Sequence, residues 1–582
     1  MRVFLQLGWF FKQERKAYIT GTMLLLLVAL LQLVPPKVIG FVVDEIDHGT
    51  LTAGDLAKWI GVLIGTALLL YGLRYYWRIM IFGSAVKLAR QLRNQLYEHF
   101  TSMSQSFYQR KRVGDLMAHA TNDLSAIQQT AGSGVLTLVD SLATGGFVII
   151  AMAATISWKL TLICLIPMPL MAILTSWYGT LLHLRFHKAQ EAFSSLNDKT
   201  QESISGIKVI KTFGQEKEDI EDFRQQSEDV VEKNISVAKI DSLFDPTISL
   251  IVGISFFLSI TFGAKYVLQD EMTIGQLISF TTYLGLLIWP MLAFGWLFNI
   301  VERGRASYDR VIDLLSERAE IVDKKDAADQ TPTGDLNFTI DHFTYPGETD
   351  PVLQDIYFHL KQGETLGIVG KTGAGKTSLL KLLIREFESD SSRITFGNRP
   401  ISDYKTGRLR EAIGYVPQDH FLFSATIKEN IAFTKPEIEE KSVYQAATIA
   451  HIHQDILELP EGYNTVVGER GVSLSGGQKQ RISIARALLM DPEVLVLDDS
   501  LSAVDAKTEE EILTALKQDR EGKTTIITAH RLSAIQHANL ILVLEDGKIA
   551  ERGTHEQLME HEGWYREMYL HQQLEELVEQ GG

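Results

Sequence analysis

The sequence predicts a two-part membrane protein, in which a six-span α-helical bundle with long cytoplasmic helical extensions precedes an α/β domain. The first observation is hydropathy: six stretches of about 20 mostly apolar residues, the length that crosses a bilayer as a helix, lie within roughly the first 300 residues, and none follows. The second observation is periodicity. Towards the C-terminus, short apolar runs alternate with helical patterns, which is typical of an α/β domain.

The six predicted spans cover 18–40, 58–80, 135–157, 159–181, 246–268 and 274–299. A short elbow helix precedes the first span. Basic residues before this span and an acidic loop after it place the N-terminus in the cytoplasm. The long polar segments 81–134 and 182–245 then also lie in the cytoplasm. We therefore expect a transmembrane domain over 1–325 and a cytoplasmic domain over 326–582.

Charge and cysteine content exclude some classes of protein. The net charge of −16 argues against a nucleic-acid partner, which normally requires a basic face. Cys164 is the single cysteine and lies in an apolar run, so no intrachain disulfide can form.

Asp140 is an ionisable residue inside the third predicted span, where a charge is costly. It contacts a substrate, extends its carboxylate towards the membrane surface or pairs with another helix, and the sequence leaves these alternatives open.

A phosphate-binding loop is the strongest motif in the C-terminal part. The segment GKTGAGKTS follows an apolar strand and precedes a helical pattern, as G-x-x-x-x-G-K-[ST] requires. Its glycines let backbone N–H groups surround phosphate oxygens, and the helix N-terminus adds positive potential. Lys376 is expected to reach the outer phosphates and Thr377 to bind Mg²⁺. The predicted nucleotide-binding residues of the loop are Gly370, Lys371, Thr372, Gly373, Ala374, Gly375, Lys376, Thr377 and Ser378.

An acidic pair ends a second apolar strand, VLVLD, at 494–498. A carboxylate in this position beside a phosphate loop holds Mg²⁺ in P-loop ATPases, which makes Asp498 a candidate metal ligand. Asp499 follows directly and is a candidate catalytic residue. Together with the phosphate loop, the pair predicts a P-loop ATPase domain that uses ATP and Mg²⁺.

The segment LSGGQ lies between these two motifs and opens a helix whose N-terminus can bind an anion. Its candidate nucleotide-binding residues are Ser475, Gly476, Gly477 and Gln478. With this motif the sequence resembles the ATP-binding cassette (ABC) transporters, whose cassettes contain a P-loop ATPase core and a helical subdomain. The resemblance covers nearly the whole chain and is closest to one half of a bacterial heterodimeric multidrug exporter of the cell membrane.

Further motifs of the family occur in the family's order. The resemblance implies that Tyr345 stacks on adenine, that Gln418 contacts Mg²⁺ and the attacking water, and that His530 is a switch residue near the γ-phosphate. Asp505, in SAVD, resembles the loop at the dimer interface, and GERG at 468–471 resembles a segment that reports to the membrane helices. Two short helices, within FYQRKRVGDLMAHATNDL and ESISGIKVIKTFGQE, are expected to dock on the cassettes.

The chain has one phosphate loop and one LSGGQ segment, whereas the family sandwiches ATP between these elements of two cassettes. A second half-transporter is therefore an expected partner. The family normally has Glu where this chain has Asp499, and the shorter side chain predicts weak hydrolysis, because small misplacements in phosphoryl transfer are costly. This favours an asymmetric heterodimer in which the LSGGQ segment completes a partner's competent site. The expected cargo is a hydrophobic or cationic drug.

Two alternatives remain open. One is a homodimeric lipid flippase or drug exporter with the same fold. The other is a regulatory subunit that binds ATP and transports nothing itself.

Overall fold

The computed structural model describes residues 2–468 and 473–581. The chain divides into two compact units, one made of residues 1–101 and 113–317, the other of residues 102–112 and 318–582. The segment 102–112, which the sequence assigns to the membrane part, is thus grouped with the C-terminal unit. The predicted division at residue 325 stays a prediction.

All regular secondary structure in the described residues of the first unit is helical. Its helices, together with the segment that joins the second unit, are α1 (Arg2–Gln6), α2 (Gly8–Gln13), α3 (Arg15–Leu31), α4 (Val34–Asp47), α5 (Ala53–Ser102), α6 (Gln105–Arg110), α7 (Val113–Ala118), α8 (Leu124–Gln129), α9 (Val135–Met152), α10 (Trp158–Leu165), α11 (Met168–Ser205), α12 (Ile207–Phe213), α13 (Glu216–Asp241), α14 (Phe244–Leu268), α15 (Ile274–Leu286) and α16 (Ile288–Ser316). Short π-helical segments connect α7 to α8, α8 to α9 and α9 to α10.

Five helical runs among the described residues are long and apolar enough to cross a membrane, so the predicted count of six is not confirmed. They are Arg15–Asp47, Ala53–Ser102, Val113–Leu165, Glu216–Leu268 and Ile274–Ser316. The predicted span 159–181 is divided between α10 and α11, because Pro167 lacks a backbone N–H and interrupts the helix. α10 is part of the run Val113–Leu165, and α11, which becomes polar towards its C-terminal end, is not among the five.

Several helices continue well beyond a bilayer span. The longest, α5, has 50 residues, which corresponds to about 75 Å. α11 and α13 pack together through Lys199, whose Nζ lies 3.0 Å from Asp219 and 2.7 Å from Asp222. Between them lies α12, which ends at Gly214 with a φ of 66°. α12 occupies the position of the second predicted docking helix.

α4 and α15 pack so closely that glycine is required at their contact. A Cβ on Gly275 would lie 2.0 Å from the carbonyl oxygen of Gly40. The Asp44 carboxylate accepts hydrogen bonds from the N–H of Gly275 at 2.7 Å and from the Thr273 hydroxyl at 2.8 Å. The Ser279 hydroxyl donates to the carbonyl of Pro36 at 2.8 Å. Close approach and buried polar contacts therefore join the first and last spans.

The second unit is an α/β domain with two sheets. Its strands are β1 (Leu336–Phe343), β2 (Leu353–Leu360), β3 (Thr365–Gly370), β4 (Ser392–Phe396), β5 (Arg399–Pro400), β6 (Ile413–Val416), β7 (Val494–Asp498), β8 (Thr524–Thr528), β9 (Leu540–Glu545) and β10 (Lys548–Gly553). The larger sheet has the order β10-β9-β3-β8-β7-β6, and β6, β7, β8, β3 and β9 pair in parallel. The smaller, antiparallel sheet has the order β2-β1-β4-β5.

The helices of this unit fall into a group beside the sheets and a group inserted between β6 and β7. They are α17 (Lys376–Leu383), α18 (Thr406–Ala412), α19 (Ile427–Ile431), α20 (Glu440–Ile449), α21 (His453–Leu457), α22 (Gly476–Leu488), α23 (Ala506–Asp519), α24 (His555–Glu560) and α25 (Trp564–Gly581). The inserted helices α19 to α22 correspond to the expected helical subdomain. β3, β7 and β8 are adjacent and parallel, so their carboxyl ends meet at one edge, where ligands bind in open α/β sheets.

We expect Gly275→Ala to destabilise the membrane unit, because the new methyl group overlaps the Gly40 carbonyl. Overpacking of this kind costs about 1–3 kcal/mol. Thermal unfolding of the purified protein in detergent should show a lower midpoint for this variant. Gly253→Ala is the matched control, because a Cβ at Gly253 in α14 has no neighbour within 4 Å. Equal midpoints for the two variants would contradict the close packing of α4 and α15.

Candidate functional site

The phosphate loop connects β3 to α17, as the sequence predicts. Gly373 and Gly375 have φ values of 86° and 95°, a conformation that residues with a Cβ rarely adopt. Gly370 also lacks space for a side chain, since a Cβ there would lie 2.1 Å from the carbonyl oxygen of Leu544. The three glycines therefore allow the loop to curl tightly at the carboxyl end of β3.

Lys376 is buried and lies across this loop. Its Nζ donates to the carbonyl oxygens of Gly370 at 2.8 Å and Lys371 at 3.1 Å. Burial lowers the pKa of Lys376 below its usual value, while Asp499 and Asp498 act in the opposite direction. A desolvated cation held by neutral carbonyls is a suitable partner for a polyanion, so the loop fits the phosphates of ATP.

Asp498 is the centre of a buried hydrogen-bond cluster and is only 1% exposed. Its Oδ1 accepts from the hydroxyls of Thr528 at 2.8 Å and Thr377 at 3.2 Å, and its Oδ2 accepts from Tyr415 at 3.0 Å. A carboxylate beside a threonine hydroxyl provides the oxygen ligands that Mg²⁺ prefers. The donor set at Thr377 and Asp498 therefore fits the metal.

Tyr415 and Thr528 were not among the residues that the sequence singles out. Each lies on a strand next to β7, and Thr528 is the register partner of Asp498. The order of the strands brings them to the site. The sequence signal that could have identified them is a hydroxyl-bearing residue near the C-terminal end of each apolar strand.

Asp499 has a φ of 49°, in the left-handed region, and its N–H donates to the Thr528 hydroxyl at 2.9 Å. The Gln418 amide donates to its carboxylate at 3.4 Å, and the Nε2 of His530 lies 3.8 Å from the same oxygen. The structure thus brings together the three predicted catalytic residues. A cavity of about 140 Å³ beside them is lined by Asp499, Thr528 and His530, among others.

Burial raises the pKa of Asp499 above the ordinary value of an aspartate. The neighbouring Asp498 carboxylate adds to this rise, and His530 and Lys376 oppose it. The carboxyl group of Asp499 is therefore harder to ionise than that of an exposed aspartate.

Tyr345 lies next to the phosphate-loop helix. Its hydroxyl and the Ser378 hydroxyl are 2.8 Å apart, and its ring makes edge contacts with Phe343 and Phe387 at centroid distances of 5.0 Å. The tyrosine ring is thus held in place on two sides. Its stacking on adenine stays a prediction.

The LSGGQ segment caps α22, as expected. Ser475 is the N-cap residue, its hydroxyl accepts from the N–H of Gln478, and the Gln478 side chain accepts from the N–H of Ser475. Gly477 packs against the SAVD loop, because a Cβ there would lie 2.8 Å from the carbonyl of Ala503. Asp505 ends this loop and caps α23 by accepting from the N–H of Thr508 at 3.0 Å.

Two separate groups of predicted nucleotide-binding residues result. Within residues 2–468 and 473–581, no hydrogen bond or ion pair joins Ser475–Gln478 to the phosphate loop. In the GERG segment, Gly468 is described, whereas residues 469–471 lie outside the described part of the chain.

Asp140 lies in α9 and is partly exposed. Its Oδ1 accepts from the Thr144 hydroxyl one turn later, at 3.0 Å. In the described part of the chain, no lysine, arginine or histidine forms an ion pair with it. Its carboxylate therefore has no cationic partner among the described residues.

A phosphate loop, a buried acidic strand end and a helical unit with membrane-spanning runs define a membrane-bound ATPase. Comparison with known proteins agrees with this class. A family model described as "ABC transporter transmembrane region" matches residues 18–291, and a model described as "ABC transporter" matches residues 353–502.

Relatives match over the whole chain. The probable multidrug resistance ABC transporter ATP-binding/permease protein YheI of Bacillus subtilis (strain 168) is 48% identical over 577 residues, which cover 99% of this chain and 98% of that protein. The multidrug resistance-like ATP-binding protein MdlA of Escherichia coli (strain K12) is 48% identical over 577 residues, with coverages of 99% and 97%. A solved structure of a bacterial Atm1-family ABC exporter with ATP bound has a TM-score of 0.79 at 25% identity, covering 96% of this chain and 99% of that one.

The chain therefore belongs to the ABC transporters. It is an exporter of the type in which a transmembrane domain and an ATP-binding domain are fused, and it resembles the multidrug members. The ATP-binding domain uses ATP with Mg²⁺ and couples its hydrolysis to transport. The protein is a multi-pass membrane protein of bacteria with a cytoplasmic ATP-binding domain.

The raised pKa of Asp499 predicts a pH limit for hydrolysis that depends on this carboxylate. An acid with a raised pKa stays protonated to a higher pH, so the rate should fall as the pH drops through a value above the ordinary 3.9 or so. The check is the pH–rate profile of ATP hydrolysis by the native protein and by Asp499→Asn. The acid limb should disappear in the variant, and an unchanged limb would assign it to another group.

Proposed function

We propose that this chain is a half-transporter that uses ATP to move hydrophobic or cationic drugs out of a bacterial cell. The observation that carries the proposal is the cluster of Lys376, Asp498 and Asp499 in a chain that also has membrane-spanning helices. The names of the relatives YheI and MdlA, which refer to multidrug resistance, support a drug as the cargo.

At the ATP site, backbone N–H groups of the phosphate loop and Lys376 bind the phosphates. Thr377, Asp498 and Gln418 hold Mg²⁺ and its water. Asp499 accepts a proton from the attacking water, and His530 stabilises charge near the γ-phosphate. The close grouping of Gln418, Asp499 and His530 supports these roles. Tyr345 orients the adenine.

The LSGGQ segment and Asp505 act on the ATP of a second cassette. Ser475 and the N-terminus of the 13-residue helix α22 offer hydrogen-bond donors and positive potential for a γ-phosphate. Their lack of a direct hydrogen bond to the phosphate loop of the same chain, within the described residues, supports a site built from two chains. ATP binding would draw the two cassettes together and open the cavity outward.

The experiment that tests the function is transport in inside-out vesicles or proteoliposomes containing the purified transporter. ATP should drive accumulation of a cationic fluorescent dye, and Lys376→Ala should abolish it, because the phosphates lose their main cation. Lys548→Ala is the control for surface charge, since Lys548 is exposed and pairs with Asp355 at 3.3 Å. Equal transport in the presence and in the absence of ATP would contradict ATP-driven export.

Asp140 is proposed to contact cationic cargo, since its carboxylate has no cationic partner within residues 2–468 and 473–581. In the same vesicles, Asp140→Asn should reduce transport of the cationic dye more than transport of a neutral one. Movement of a fluorescent phospholipid, with no drug transport, would instead favour the flippase alternative. ATP hydrolysis without transport of either cargo would favour the regulatory alternative.

We further propose that hydrolysis at this chain's own site is weak. The carboxylate of Asp499 is one methylene shorter than that of the usual glutamate, and a displacement of about 1 Å can reduce a rate by about 100-fold. This asymmetry would suit a heterodimer in which the partner carries the competent glutamate. A homodimer, with Asp499 at both sites, is the competing assembly.

Asp499→Glu is expected to raise ATP hydrolysis at this site by at least tenfold, because the longer side chain reaches the attacking water. The measurement is single-turnover hydrolysis by the intact transporter, with Asp499→Asn as the baseline that lacks a carboxylate at this position. If the rate of hydrolysis does not rise in Asp499→Glu, the length of the Asp499 side chain is not what limits hydrolysis. Native mass spectrometry of the purified assembly then separates two different chains from two copies of this 65.3 kDa chain. Two identical chains would exclude the asymmetric model.

A further inference from the structure

The backbone around His530 is held by a side chain from the last helix. Gln572 of α25 donates from Nε2 to the carbonyl oxygen of His530 at 2.8 Å, and its Oε1 accepts from the N–H of Leu532 at 2.9 Å. One amide group thus pairs with backbone groups two residues apart, as a residue of a parallel neighbouring strand would. β8 ends at Thr528, and beyond this point the Gln572 amide forms the hydrogen bonds that a neighbouring strand would otherwise form with the backbone.

The position of Gln572 is set by the residues that anchor α25. Tyr565 is fully buried, and its hydroxyl and the Nδ1 of His555 are 2.8 Å apart. One turn later, the Tyr569 hydroxyl donates to the Gln536 side chain at 3.3 Å. Residues 565, 569 and 572 are spaced i, i+4 and i+7 and share one face of the helix. Gln572 therefore lies on the helix face that Tyr565 and Tyr569 hold in place.

A second contact holds the same segment from the side of the SAVD loop. Arg531 donates to the carbonyl oxygen of Val504 at 3.2 Å and to the carboxylate of Glu509 at 2.9 Å. Glu509 is only 5% exposed. Charge-assisted contacts to a buried acid are strong, so Arg531 is fixed. The segment from His530 to Leu532 is thus clamped between α23 and α25.

The His530 side chain itself has less support. Its imidazole is 47% exposed, and its Nε2 lies 3.8 Å from the Asp499 carboxylate, beyond hydrogen-bond distance. The direction of the imidazole therefore depends on the backbone at His530, whose carbonyl group is bound by Gln572. A shift of this peptide group would change the distance between imidazole and phosphate.

We propose that Gln572 is a positioning residue that holds the switch histidine, His530, in its working orientation. The proposal rests on the function proposed above for His530. It makes the C-terminal helix part of the ATP site, although α25 carries none of the predicted nucleotide-binding residues. Displacement of α25 then slows hydrolysis without changing the phosphate loop.

The test uses the full-length transporter with Gln572→Leu, which keeps the side-chain size and removes both hydrogen bonds. Gln573→Leu is the matched control, because the exposed Gln573 donates to the Tyr569 hydroxyl at 3.2 Å and, among the described residues, forms no hydrogen bond with the segment from His530 to Leu532. Hydrolysis at this site is taken as the part that Lys376→Ala removes. We expect Gln572→Leu to lower its kcat about tenfold with KM unchanged, as a misplaced catalytic group does. Hydrogen exchange in residues 529–535 should accelerate in this variant alone.

The double variant separates positioning from general destabilisation. If Gln572 acts through His530, adding Gln572→Leu to His530→Ala causes no further loss of hydrolysis. An additive loss, or a loss equal to that of Gln573→Leu, overturns the proposal. If His530→Ala alone leaves hydrolysis unchanged, the proposed role of His530 fails and the catalytic part of this proposal fails with it. If Gln572→Leu hydrolyses ATP at the full rate while His530→Ala is impaired, the positioning role of Gln572 is refuted and the proposed role of His530 stands.

Discussion

The buried carboxylate of Asp498 is the constraint on which the ATP site depends. A charge that is almost excluded from water is tolerated only when hydrogen-bond donors surround it. Its donors come from Thr377 on α17, Tyr415 on β6 and Thr528 on β8. The carboxylate therefore ties the phosphate-loop helix to two strands of the sheet. Asp499 is the next residue in the chain, so its orientation depends on the hydrogen bonds that fix Asp498.

The same burial has a chemical consequence at the next residue. Desolvation raises the pKa of Asp499, and the charge of Asp498 raises it further. The buried environment that fixes the candidate Mg²⁺ ligand Asp498 thus also raises the pKa of the neighbouring Asp499 carboxyl group. The short side chain of Asp499 is the physical basis for the asymmetric transporter that we propose, because a raised pKa by itself makes an ionised carboxylate a stronger base. Thr528 contacts both aspartates, because its hydroxyl donates to the Asp498 carboxylate and accepts from the N–H of Asp499.

The membrane unit depends on a different balance, between close packing and interruption. Gly40 and Gly275 let α4 and α15 approach until backbone atoms touch, and Asp44 caps the beginning of α15. Within a membrane, small residues allow such contacts and polar groups need partners in the protein. Pro167 has the opposite effect, because it ends one helix inside an apolar stretch. Hydropathy measures apolar length only and does not show an interruption such as that at Pro167, and the predicted count of six spans is not confirmed.

The sequence by itself determined the local elements of this protein: the phosphate loop between β3 and α17, the acidic end of β7, and the helix that starts after Ser475. Each is encoded within about ten consecutive residues, through glycine, capping and hydrophobic patterns. Only the tertiary structure decided which distant side chains complete them. Tyr415 and Thr528 reach Asp498 because of the strand order, and Gln572 reaches His530 because α25 packs beside the segment after β8. Such contacts join residues that are tens of positions apart, and no local pattern records them, since they depend on how the elements pack.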